Sequence, residues 1–182
     1  MPETLKPYTT IIDFVTGKEM PNIGAEENRQ AVARFLVEEK GFLKADIAVD
    51  VDIEMTVGGD VYQSQIDLAV SLGEGAVCFM VFKCAAASLG SREREIVAAA
   101  RLLNPDYQIP YAVVSDGQAA IVLDTVSGKK IGEGMAAIPS KGQALETLKS
   151  VELIAFPPKR LEKERLIFRT YDNQNVNVQR NV

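Results

Sequence analysis

Histidine is absent from the 182-residue chain, which excludes histidine-based triads, imidazole general bases and the common zinc sites together. Any catalysis must therefore run on carboxylates and lysine, with or without a divalent cation. Cysteine is nearly absent too. Cys78 and Cys84 are the two in the sequence, too few for a zinc site without histidine and badly placed for a disulfide, so buried thiols are expected. No uninterrupted apolar run reaches about 18 residues, the length a membrane span needs. The opening Met1-Pro2-Glu3-Thr4-Leu5-Lys6 lacks the charged-then-apolar order of a signal peptide. The expectation is a cytoplasmic protein with no membrane contact. A Walker-type phosphate loop is also missing, so ATP-driven work is not expected of these residues.

What is present is ordinary for a globular domain: 47% hydrophobic and 25% charged residues. The net charge of −5 argues against a general nucleic-acid binder. The charge is uneven, however. Residues 1–91 hold 7 basic and 14 acidic side chains, and residues 92–182 hold 13 basic and 11 acidic. A local basic face in the second half stays open.

Prolines and glycines mark residues 1–24 as an irregular arm, with a short strand expected over Thr9–Val15. A helix is expected from Ala25 to Glu39: Val32, Phe35 and Leu36 recur at helical spacing, Glu26 and Glu27 suit its positive end, and Gly41 stops it. Ala45–Thr56 alternates acids with Ile and Val as a strand does, and Gly58-Gly59 turns the chain. Two more strands follow across Gly73-Glu74-Gly75. A helix over Ser91–Leu103 comes next, then a strand pair over Ile109–Ser115 and Ala119–Asp124 around Asp116-Gly117. Helices are expected at Lys141–Ser150 and from Lys159 to about Thr170. The organisation is thus an arm (1–24), one α/β domain (25–170) with a central mixed sheet covered by helices, and a polar tail (171–182).

Asp67 and Lys83 stand out within the hairpin. Asp67 lies in Gln65-Ile66-Asp67-Leu68-Ala69-Val70, and Lys83 closes the next apolar run. Alternation of side chains puts Gln65, Asp67 and Ala69 on one side of their strand and Val81 with Lys83 on one side of the partner, so acid and lysine can meet. Two acidic oxygens and a lysine are what a magnesium-dependent nuclease uses to hold its metal and steady the attacking hydroxide. The second acid belongs two residues before the lysine, where this chain has Val81.

With that order of elements, the chain resembles the PD-(D/E)xK nuclease superfamily, and within it the N-terminal domain of type I restriction enzyme R subunits. Glu26-Glu27-Asn28-Arg29-Gln30 is similar to the family's acidic opening helix, and Gly41-Phe42-Leu43-Lys44 to its Gly-aromatic turn. Ile66-Asp67-Leu68 resembles its Asp-Ile-Val strand, Phe82-Lys83-Cys84-Ala85 its Glu-x-Lys-Ala segment, and Pro110–Gly117 the strand and turn after its second helix. The resemblance implies a restriction-endonuclease-like fold, with Asp67 and Glu26 or Glu27 as metal-binding acids, Lys83 as the catalytic lysine and Mg2+ as cofactor if the site is active. Apart from the resemblance, Arg92, Arg94 and Arg101 are candidates for contact with DNA phosphates. Two elements depart from the family: Val81 replaces the glutamate, and Ser91–Leu103 has no match to a Gln-x-x-x-Tyr element.

Plainer roles stand beside these. A strand aspartate is commonly just hydrogen-bonded, a strand-end lysine reaches solvent, Glu26 and Glu27 are suitable helix-start charges, and the arginines suit solvated helix faces. Three functions follow. The first is a catalytically degenerate domain of nuclease fold kept for binding DNA or a protein partner. The second is an active Mg-dependent DNA endonuclease whose acid has moved to Asp52, Glu54 or Glu95. The third is a structural or regulatory module, as a homo-oligomer, using the fold as a platform.

Overall fold

Three consecutive runs of alternating or continuous apolar residues build the middle of the protein as a meander. The computed structural model describes residues 8–73 and 76–173. Residues 1–7 of the arm, Glu74 and Gly75 of the expected turn, and the tail from residue 174 lie outside the described residues.

The arm holds β1 (Thr10–Ile12) and β2 (Glu19–Pro21), paired antiparallel. The expected strand over Thr9–Val15 is thus shorter and has a partner. Asp13 ends it: its backbone oxygen accepts from Gly17 N and its Oδ1 from Thr16 N, which folds the chain into a tight turn. Helix α1 (Glu26–Glu38) follows. The meander is β3 (Ile47–Val57), β4 (Asp60–Leu72) and β5 (Val77–Cys84). Helix α2 (Glu93–Leu102) leads to β6 (Tyr111–Ser115), β7 (Ala120–Asp124) and β8 (Lys130–Glu133). Strand β8 was not expected, because its one large apolar residue, Ile131, gives no alternation to read.

Helix α3 (Lys141–Leu148) is two residues shorter than expected, and α4 (Leu161–Asn173) starts from a 3-10 turn at Pro158–Arg160 and runs to Asn173. Ser140 caps α3 in a reciprocal box, with Gln143 N donating to Ser140 Oγ and Ser140 N to Gln143 Oε1.

The large sheet runs β3-β4-β5-β6-β7-β8. Its neighbours are antiparallel except β5 and β6, which are parallel, so α2 forms the crossover between them. This is the α/β fold expected, a mixed sheet flanked by helices in a restriction-endonuclease-like arrangement.

Each sheet face buries its own apolar cluster. One gathers Val32 and Leu36 of α1, Leu68, Val70, Phe82, Val113 and Ala144 of α3. The other gathers Ala69, Val81, Ala112, Val114 and Leu123 with Ile96 to Ala100 of α2 and Phe168 of α4. Burying each large side chain of this kind stabilises the fold by about 1.5–3 kcal/mol.

The two long strands change faces part-way. Val49 and Leu68 pack into the α1 cluster, whereas Val51 and Ile66 pack into the α2 cluster, although each pair is separated by two residues and simple alternation would keep them together. Asp50, between Val49 and Val51, has a positive φ of 51°. That left-handed residue rotates the strand and carries its partner with it. The expectation that Gln65, Asp67 and Ala69 share a side fails here: Gln65 lies past the switch and bonds to the exposed Asp52. Asp67 sits at the switch itself.

Candidate active site around Asp67 and Lys83

Strand β4 ends its ladder with β5 at the Leu68–Phe82 pair. One residue further on, the Asp67 side chain takes over: its Oδ2 accepts from Cys84 N at 2.6 Å, and Asp67 is buried. The carboxylate therefore anchors the end of β5. Lys83 lies on the α2 side of β5, in phase with Val81. Its Nζ meets Glu95 Oε1 at 3.0 Å, and Arg92 Nη1 approaches Glu95 Oε2 at 3.6 Å. Glu95 is 3% exposed and the Lys83 side chain 18%.

Burial works against the Lys83 charge, yet the negative charge of Asp67 and then of Glu95 outweighs it and lifts the ammonium above its ordinary range. Asp67 and Lys83, paired from sequence, are thus electrostatic neighbours. Val81, two residues before the lysine, is 0% exposed and packs with Ala69, Ile96 and Ala112.

The three alternative acids separate clearly. Asp52 and Glu54 are exposed and accept from Gln65 Nε2 and Gln63 Nε2. Glu95 alone among the three is buried against Lys83. Its signal in the sequence was an acid in phase with the apolar positions Ala98, Ala99 and Leu102 of a helix.

Glu26 and Glu27 go elsewhere. Glu26 is buried and takes two bonds from Arg29, at 3.1 Å from Nε and 2.5 Å from Nη2, and one from Gln30 Nε2 at 2.6 Å. Arg29 Nη2 also pairs with Asp13 Oδ2 at 2.9 Å. These residues clamp the β1–β2 hairpin to α1. Glu27 is exposed and accepts from Asn22 Nδ2. Helix α1 still touches the site's edge, since Asn28 Nδ2 donates to Ala85 O at 2.6 Å.

The three arginines also divide. Arg92 flanks Glu95 and keeps 26% of its side chain exposed, and Arg94 keeps 38% while reaching Glu164 at 3.5 Å. Arg101 is 5% exposed: it pairs with Glu164 at 2.9 Å and donates to Thr125 O and Val126 O, bracing α2 against α4 and the turn after β7.

Two residues at this face gave no sign in the sequence. The Tyr62 hydroxyl of β4 donates to Asp172 Oδ2 at the end of α4, 110 positions away. The Tyr62 ring also meets Phe168 edge-on, with centroids 6.3 Å apart, and lies under the Arg169 guanidinium at 5.9 Å. Burial, then the charges of Asp172 and Glu95, push the Tyr62 phenol well above its ordinary range and keep it a donor.

Among the described residues no group of three or more cysteine or carboxylate side chains is gathered to hold a metal ion. Asp67 and Glu95 supply hard oxygen donors beside a lysine, a set that suits Mg2+ retaining several of its waters. Among the described residues no helix is long and apolar enough to cross a membrane.

A family model described as type I restriction enzyme R protein N terminus (HSDR_N) matches residues 24–139. That stretch runs from the residues before α1 to the loop before α3. No curated protein and no solved structure matches the chain.

Proposed function

The chain belongs to the family of type I restriction enzyme R protein N termini, and on that premise we propose that it is a metal-assisted DNA endonuclease domain in which Glu95 replaces the acid missing at Val81. The observation that carries this reading is the 3.0 Å contact between Lys83 and the buried Glu95. It brings a carboxylate from α2 to the lysine that lacks one on its own strand.

In this reading Asp67 and Glu95 are the residues that would hold Mg2+. When bound, the ion supplies charge to the scissile phosphate and acidifies a coordinated water. Lys83, whose charged form these two acids favour in the metal-free protein, would orient the attacking water and offset the charge that grows on the phosphate. Burial of both carboxylates limits competition from bulk water. Arg92 and Arg94, partly exposed at the start of α2, contact the phosphate backbone and position the strand. Arg101 is left to its bracing role. With a net charge of −5, affinity for DNA rests on these local cations and weakens steeply with salt.

The test is incubation of the purified protein with plasmid and linear DNA in magnesium and in manganese, beside Asp67→Ala, Lys83→Ala and Glu95→Gln. The expected result is metal-dependent cutting by the wild type, lost in all three variants. Cutting retained by Glu95→Gln overturns the substitute acid.

A second reading draws on Val81, which sits in an apolar cluster at 0% exposure, and on the neutralisation of Lys83 by Glu95. Under it the domain is catalytically degenerate and binds DNA or a protein partner without cleavage. Wild type that leaves DNA intact but shifts its mobility, with binding lost in Arg92→Ala, supports this one.

A further inference from the structure

We propose that Tyr62 and Arg169 flank a phosphodiester subsite whose place is taken, in the DNA-free protein, by the carboxylate of Asp172. The proposal rests on the reading of this face as one that engages DNA, and it adds an element from outside the matched segment of residues 24–139.

Four observations converge. First, the Tyr62 hydroxyl, a donor beside the site, is used on Asp172. A carboxylate and a phosphodiester present the same object to such a donor: two acceptor oxygens sharing one negative charge. Second, a cation lies next to that donor, with the Arg169 guanidinium 5.9 Å from the centroid of the Tyr62 ring. The charge of Asp172 is felt at Lys83, as that of Glu95 is at Tyr62.

Third, Asp172 lies four residues past the buried Phe168 on the same helix, so its backbone is held while its carboxylate turns to Tyr62. Fourth, α4 is moored independently of that bond. Glu164 pairs with Arg101 at 2.9 Å and Arg94 at 3.5 Å, and Phe168 is buried in the α2 cluster. A change of rotamer at Asp172 thus frees the Tyr62 hydroxyl while the helix stays docked. A DNA phosphate entering the face exchanges for the carboxylate on the same donor.

The proposal is tested by fluorescence anisotropy of a labelled short duplex with full-length protein in EDTA, where binding is read without turnover. Asp172→Ala and the milder Asp172→Asn are each expected to tighten binding roughly five- to tenfold, the effect of removing one like charge from a partly desolvated phosphate contact. Adding Tyr62→Phe to Asp172→Ala is expected to reverse the gain. Thermal melts establish that the compared variants are folded. Unchanged or weaker binding by both folded Asp172 variants overturns the proposal, as does an Asp172→Ala gain that survives Tyr62→Phe, or the absence of binding by every variant. Cleavage is scored separately in magnesium, so a wild type that binds as expected but never cuts removes the endonuclease reading and leaves the subsite standing.

Discussion

Lys83 Nζ and Glu95 Oε1 stand 3.0 Å apart across the junction of β5 and α2, so that a strand cation and a helix anion neutralise each other in a place largely shielded from water. Replacing Glu95 by Gln leaves the ammonium leaning on Asp67, with a smaller contribution from Asp172. The expected cost is about 2–3 kcal/mol in urea unfolding, less than for a fully enclosed pair because Lys83 keeps some solvent. The folded-state pKa of Lys83 is raised above its ordinary 10.5, so the pair's contribution is complete below that value and lost as pH rises through the higher folded one. Melting temperature should therefore fall more gently above pH 10.5 in Glu95→Gln than in the wild type.

Asp13 makes the opposite prediction. Burial alone would raise its pKa, but hydrogen bonds from Gln30 and Thr16 and the charge of Arg29 hold it below the ordinary 3.8. Its contribution is present above 3.8 and lost as pH falls through the lower folded value. Asp13→Asn is expected to cost about 1–3 kcal/mol by weakening the clamp between hairpin and α1. Hydrogen exchange at neutral pH should show the loss in β1 and β2 before the six-stranded sheet.

At Gly117 two constraints coincide. Its φ is +86°, and an added Cβ would lie 2.7 Å from Ala31 Cβ and 3.4 Å from Asn28 O. Gly117→Ala is expected to cost about 2–4 kcal/mol through strain and overlap together. Ala31→Gly in the same protein removes the Cβ overlap but sets a glycine inside α1 at a cost of about 0.5–1 kcal/mol of its own, so measured against Ala31→Gly alone the Gly117→Ala loss should shrink to about 1 kcal/mol of backbone strain. Chemical denaturation of the double-mutant cycle separates the two.

Val81→Glu places a carboxylate in a cluster closed to solvent. Stability is expected to drop by about 2–4 kcal/mol, with no gain in DNA cutting, since Glu95 already faces Lys83. A stable variant that cuts faster than wild type would show that the strand position, not Glu95, is where the acid works.

The sequence carried the meander, both long helices around it and the β6–β7 hairpin, because alternation, helical spacing and the Asp116-Gly117 turn are local signals. It carried Asp67 and Lys83 as neighbours for the same reason. What it hid is non-local or depends on a backbone rotation. Strand β8 is recognisable only through its pairing with β7. The change of face between Val49 and Val51 hangs on one left-handed residue, Asp50, whose neighbours read as an unbroken strand. Glu26 looked like an acid available for a metal, although Arg29 and Gln30 stand three and four residues on, the spacing at which helix side chains meet; what stayed hidden was Asp13 of the arm, which closes the clamp. The Tyr62–Asp172 bond joins the start of β4 to the end of α4, and no spacing rule reaches that far. Glu95 stood between these cases, visible as one of three acids but selected only by the packing of α2 on β5.

The parallel junction of β5 and β6 also orders assembly in time. The β3–β4–β5 meander joins segments close in sequence, and so closes at small entropic cost. Glu95 follows Lys83 closely in sequence, on the helix that leaves β5, so the charge pair can close as soon as α2 folds back on its strand. The step that waits is the pairing of β6 with β5, which must carry the chain over α2, the slower kind of event. A partly assembled chain thus holds Asp67, Lys83 and Glu95 together while the β6–β8 half of the sheet is still open.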